Sequence, residues 1–228
     1  MKNIKIIPLS ILLIFSNLWL SCQENEPSKT SLNDMRLIIG IDVSKTTQGF
    51  DRADTTFFRQ IIDASMESGR TVEIAFRAIG NPTDRSFSRI RIHSLPFKGG
   101  TMSDQKRERI QNEINAIKAE NALEVARFMR EIAMVLQKPD EDFTDLNGFL
   151  ARSNNLIAEN TAIRTLIYLQ TDGLHDANNT QTLNCAALHY PCFIAVSGWK
   201  NPERCKFDAT TEAPAGFLTV LRTQLVKP

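Results

Sequence analysis

Three stretches of this chain are unbroken apolar runs of strand length: "RLIIGID" at 36–42, "TLIYLQTD" at 165–172 and "PCFIAVSG" at 191–198. A strand with one face in water alternates apolar and polar residues, because successive side chains point to opposite sides. A run without alternation needs cover on both faces, and helices packed above and below a parallel sheet provide it. The segments between the runs supply such helices. "ADTTFFRQIIDASMESG" (53–69) sets Phe57, Phe58, Ile61, Ile62 and Met66 at helical spacing and stops at Gly69. Residues 103–137 read as one long helix or two joined ones, with caps at Ser103 or Asp104 and a charged first half. The second half carries an apolar face of Leu123, Ala126, Phe128, Met129, Ile132, Val135 and Leu136. "DLNGFLARSNNLIAE" (145–159) turns Leu146, Phe149, Leu150 and Leu156 inward, and the C-terminal "PAGFLTVLRTQLV" begins on a proline suited to a first helical turn.

Two stretches do alternate. "TVEIAFRA" sets Val72, Ile74 and Phe76 against Glu73 and Arg77, and "SFSRIRIHSL" sets Ile90 and Ile92 against Arg89, Arg91 and His93. One wet face each, with Gly80-Asn81-Pro82 between them, predicts an antiparallel hairpin at the edge of the sheet. The expected fold is α/β: a three-layer sandwich, Rossmann-like, with a mostly parallel central sheet, one antiparallel edge hairpin and helices on both faces. Ligands of such sheets bind at the carboxyl ends of the strands, where the strand order reverses. The residues just after the buried strands therefore carry the most information.

Lys and Arg number 27 and Asp and Glu 26, a formal net charge of +1, so the chain offers no electrostatic footprint for nucleic acid. Nothing in it pairs a nucleophile with a base. There is no G-x-S-x-G, no glycine-rich phosphate loop and no Cys/His spacing for zinc, and His93 and His189 stand alone. A binding protein is expected rather than an enzyme.

The N-terminus, "MKNIKIIPLSILLIFSNLWLSC", has Lys2 and Lys5, an apolar run to Leu20, then Ser21-Cys22. It resembles a bacterial lipoprotein signal peptide with Cys22 as the lipidated residue, although Trp19 stands where a Leu or Val is usual. An ordinary secretory signal or a single anchor helix is the alternative. "QENEPSKTSLND" reads as a flexible tether, and its acidic start resembles the surface-export signals of Bacteroidota lipoproteins. The expected division is a signal peptide at 1–21, a tether at 22–35 and a folded domain at 36–228. The expected location is the cell envelope, lipid-anchored at the outer membrane on its periplasmic side or at the cell surface. Export places Cys185, Cys192 and Cys205 in an oxidising compartment. Cys185–Cys205 is the favoured bridge, with Cys192 buried at the start of an apolar strand.

Three loops can meet on one rim. The first run ends on "IGIDVSKTT", which gives Asp42, Ser44 and Thr46 the form D-x-S-x-T; "KPDEDFTDLNG" sets Thr144 just before a helix; and "QTDG" sets Asp172 at the end of the second run. Two carboxylates and three hydroxyls suit a hard divalent cation, and a site so poor in acid can accept a further carboxylate.

These loops resemble the metal-ion-dependent adhesion site (MIDAS) of von Willebrand factor type A (VWA) domains. That family has D-x-S-x-S after the first strand, a Thr in a middle loop and an Asp in a T/S-D-G after the fourth strand. The resemblance covers about residues 36–226 and implies Asp42, Ser44, Thr46, Thr144 and Asp172 as metal ligands. Here Thr46 stands for the usual Ser, the 103–137 segment is longer than in many VWA domains, and Thr101 and Thr161 are rivals of Thr144. What the resemblance implies is a protein that holds Mg²⁺, or Mn²⁺ or Ca²⁺, and through it a protein partner presenting Asp or Glu, with the membrane reached through Cys22. Beside the site, His175 and Asp176 read as exposed loop residues or ligand contacts, and Trp199 as a rim or loop-packing residue. Two alternatives stand: a structural subunit of an envelope assembly with an inert site, and a Mg²⁺-dependent phosphotransfer enzyme using Asp42. The second lacks an acid at position 44, where such enzymes place one.

Overall fold

The first apolar run forms β1 (Met35–Asp42), and all eight of its residues are buried. In the computed structural model of the chain, residues 34–47, 49–80, 86–96, 103–137, 143–173, 188–200 and 205–226 are described. β1 lies between β2 (Val72–Ile79) and β4 (Arg164–Gln170) and is parallel to both, with Asp42 opposite Ile79. Beyond β4 come β5 (Phe193–Ser197) and β6 (Ala209–Thr211), again parallel. Beyond β2 lies β3 (Ser88–Ile92), antiparallel. The order is β3-β2-β1-β4-β5-β6. The chain builds outward from β1 to one edge, returns to β4 and builds to the other, so the order reverses between β1 and β4.

Helices cover both faces. α1 (Thr55–Glu67), α2 (Asp104–Leu136) and α4 (Pro214–Val226) pack on one side, where Phe58, Phe128 and Phe217 meet Leu37, Ile39 and Tyr168. α3 (Leu146–Ala158) packs on the other, where Phe149 and Leu150 meet Ile38, Ile167 and Leu169. Gly40 makes room for α3: a Cβ there would lie 2.7 Å from the Phe149 ring. Of the two caps read for the long helix, Ser103 fills the role and accepts the Lys106 N–H at 3.4 Å; α1 and α3 are capped by Asp54, which accepts the Phe57 N–H at 2.8 Å, and Asp145, which accepts the Gly148 N–H at 2.8 Å. The sandwich, the parallel centre and the antiparallel edge are all as the run pattern predicts.

Four details differ. The strand opens at Met35 and Asp34 is already buried, held by Arg91 at 3.0 Å, so the folded part reaches into the stretch read as tether. The second face of β2 is not wet. Ala75 and Ile79 lie under α3, and Glu73 is satisfied by ions instead of water, accepting from Arg36 at 2.8 Å and from Arg89. α2 is one helix of 33 residues, about 50 Å long against about 26 Å for β1. It is too long to lie along the sheet throughout, and residues 103–109 are exposed. Leu123 (71% exposed) and Ala126 face water, because about 100° per residue carries Leu123 about 140° away from buried Phe128. Finally, β6 was not foreseen, since three residues carry no pattern.

Cys205 is disulfide-bonded and Cys192 carries a free thiol, whose pKa burial and the charge of Asp208 push up to about 11. Cys185, Cys22, the signal peptide, Thr101, His175 and Asp176 lie outside the described residues. Among the described residues no helix is long and apolar enough to cross a membrane.

Candidate metal centre

Asp42 is the last residue of β1 and 1% exposed. Its Oδ1 accepts the backbone N–H of Ser44 at 2.9 Å, and its Oδ2 accepts the hydroxyl of Thr171 at 2.7 Å. A single 3₁₀ turn, Lys45–Thr47, follows at once and folds the motif back, bringing Ser44 Oγ within 2.9 Å of Thr46 Oγ1. Ser44 is buried and Thr46 exposed, so the hydroxyl pair spans from the interior to the rim. The turn is braced from below. Thr47 Oγ1 lies 2.9 Å from the Ser44 carbonyl and 3.1 Å from that of Asp42, and Arg52 donates to the Ser44 carbonyl at 2.9 Å.

Asp172 follows β4 by two residues and is fully buried. The exit of β5 holds it in place: Thr171 N–H donates to Ser197 O at 3.1 Å, and Lys200 N–H donates to Asp172 O at 3.1 Å. Both exits turn on a glycine in the left-handed region, Gly173 at φ 79° and Gly198 at φ 77°. Aromatic rings close over both. A Cβ on Gly173 would stand 2.7 Å from Trp199, and one on Gly198 would stand 2.5 Å from Phe50. Trp199 thus both packs a loop and borders the site.

Thr144 is 1% exposed and precedes α3. Its neighbour Asp145 donates its N–H to Gly80 O at 3.2 Å, one residue beyond Ile79, the register partner of Asp42. Thr144 therefore belongs to the same end of the sheet as Asp42 and Asp172. Thr161 sits just before β4, at the opposite end, and is exposed. It is no rival.

Burial pushes the Asp42 carboxyl up from its ordinary value; hydrogen bonds from Ser44 and Thr171 act against this, and the charge of Asp172 adds to it. Two buried carboxylates thus feel each other's charge at the point where the strand order reverses. Among the described residues no three or more of His, Cys, Asp and Glu gather as a metal cluster. The donors here are oxygens: two carboxylates with hydroxyls beside them, a set that fits a hard cation such as Mg²⁺ and not a soft one. His93 lies 3.7 Å from Glu120, and the His189 N–H donates to Asn154, so neither joins the site. Thr171, Arg52 and Lys200 were not foreseen. Thr171 stands beside Asp172 in "QTDG" and was legible; Arg52 and Lys200 arrive through loop geometry that leaves no pattern.

No protein-family model matches the sequence, and no curated protein matches it. Solved structures do. The pilus adhesin SpaC from Lactobacillus rhamnosus GG, in its open conformation, aligns with a TM-score of 0.50 at 11% identity over 85% of this chain and 30% of its own. A von Willebrand factor type A protein from Catenulispora acidiphila aligns at 0.45 and 14%, over 86% of this chain and 42% of its own. Proximal thread matrix protein 1 from the mussel byssus, with a zinc-occupied MIDAS motif, aligns at 0.43 and 10%, over 86% and 46%. The chain spans less than half the length of each. The fold is VWA-like α/β: among the described residues four α-helices flank a six-stranded, mostly parallel sheet.

Proposed function

We propose that this chain is a metal-dependent binding protein of the cell envelope, held by a lipid at Cys22, whose VWA domain grips a carboxylate of a protein partner. The observation that carries the reading is the pair of buried carboxylates, Asp42 and Asp172, at the strand-order reversal beside the Ser44–Thr46 hydroxyl pair. Asp42, Ser44, Thr46, Thr144 and Asp172 would hold the ion. A bound divalent cation would supply an open coordination position for a partner's Asp or Glu. The chain's own groups do the rest. Thr171 and the Ser44 N–H fix the Asp42 carboxylate, Thr47 and Arg52 hold the motif loop rigid, and the glycine turns under Trp199 and Phe50 fix Asp172. SpaC shares the fold and is a pilus adhesin, which agrees with a binding role. Fold likeness alone does not assign one.

Calorimetric titration of Mn²⁺ into the purified protein, beside Asp42→Asn and Asp172→Ala, tests the reading. One saturable site in the wild type and none in either variant is the outcome that sustains it. Wild-type protein that takes up no ion at millimolar concentration refutes it.

A further inference from the structure

Lys200 brings a positive charge to the same carboxylate. Its Nζ lies 3.8 Å from Asp172 Oδ2, while its backbone N–H donates to the Asp172 carbonyl at 3.1 Å. The side chain is 57% exposed and crosses the Phe50 ring, with Nζ 5.3 Å from the centroid. Phe50 is itself seated against Gly198, where a Cβ would stand 2.5 Å from the ring. The main chain of Lys200 is thus anchored by its own hydrogen bond, and its ammonium stands between the aromatic face and the carboxylate. It reaches that carboxylate from the solvent side of a fully buried aspartate.

We propose that Lys200 is a built-in counter-ion of the site: its ammonium neutralises Asp172 when no metal is bound and opposes the binding of a divalent ion. The inference rests on the metal reading above and deepens it. Two carboxylates give a site charge of −2, and one ammonium within 4 Å brings it toward −1. A site with few acidic ligands and a tethered cation binds its ion weakly and exchanges it readily. The lysine must swing aside or share the carboxylate as the ion enters, and the flexible four-carbon stem permits either. Once displaced, the ammonium stands at the rim where a partner's carboxylate arrives, so the same residue favours acidic over neutral partners.

The test compares wild type, Lys200→Met, Lys200→Arg and Asp172→Ala by Mn²⁺ titration and by thermal unfolding in EDTA and in Mn²⁺. Lys200→Met keeps the backbone hydrogen bond and most of the stem, and removes the charge. It is expected to tighten Mn²⁺ binding about tenfold, less at high salt, because a unit charge is removed near a divalent ion at a screened rim. Lys200→Arg is expected to keep the wild-type affinity. In EDTA, Lys200→Met lowers the unfolding midpoint, and in saturating Mn²⁺ it does not. A merely structural lysine would shift both midpoints the same way. Equal or weaker affinity in Lys200→Met, with wild-type binding intact, overturns this inference alone. No Mn²⁺ uptake by any variant overturns both it and the metal reading.

Discussion

Arg36 lies in the first apolar run, 2% exposed, and the sequence gives no sign of how its charge is satisfied. The fold satisfies it with Glu73 at 2.8 Å and the Leu156 carbonyl at 2.6 Å, and Glu73 is shared with Arg89, which also binds Glu159. Burial pushes the Glu73 carboxyl up, but hydrogen bonds and charge from Arg36 and Arg89 outweigh this and hold it below the usual carboxylate range. A carboxyl held low in the folded state adds stability above its unfolded value, near 4.5, and loses that contribution as pH falls through the lowered value. Glu73→Gln leaves Arg36 buried beside a neutral group and is expected to cost about 3 kcal/mol at neutral pH, less in acid. Arg36→Met is expected to cost less, because Glu73 keeps Arg89. Urea unfolding across pH measures both, and equal costs would contradict the account. At the candidate centre, Asp42, Ser44, Thr46 and Asp172 could be named from spacing because each sits a fixed step from a strand end. Arg52 and Lys200 could not, since their roles depend on where loops fold back.

Among the elements, α2 shows where periodicity stops being informative. Its apolar residues outnumber the places the sheet offers, and only register decides which are buried. Phe128 (1% exposed) and Ile132 (0%) meet the core, and Asn121 is buried to bracket the His93 backbone, accepting its N–H at 3.0 Å and donating to its carbonyl at 3.1 Å. Leu123, one of the residues that looked equally apolar, points to water. Phe128→Ala is expected to cost about 4 kcal/mol, whereas Leu123→Ala changes stability by less than about 0.5 kcal/mol. Chemical denaturation separates the two, and a large loss from Leu123→Ala would mean that this face is covered. β2 teaches the converse. Its alternation was real, but an alternating charged face means water only when no helix covers it, and here α3 does.

For the whole molecule, the decisive information was the contrast between unbroken and alternating runs. It marked β1, β4 and β5 as central and β2–β3 as the hairpin side, and that placement alone puts Asp42 and Asp172 at the reversal of strand order. The same arrangement explains why one site draws on loops more than 100 residues apart in sequence: Thr171 reaches Asp42 across a separation of 129. What no pattern carried was the neutralisation of buried charge, at Arg36 and again at Asp172, because ion pairs form between residues that the fold alone brings together. The account's central claim is that the buried carboxylates form a divalent-ion site. The most direct test is thermal unfolding of wild type and Asp172→Ala with Mg²⁺ or Mn²⁺ and with EDTA. An ion that binds only the folded state adds about 2.7 kcal/mol at a hundred times its dissociation constant. The account predicts a rise in the wild-type midpoint that EDTA reverses and that Asp172→Ala lacks. A wild-type midpoint that stays flat across millimolar ion, or an equal rise in the variant, would contradict it.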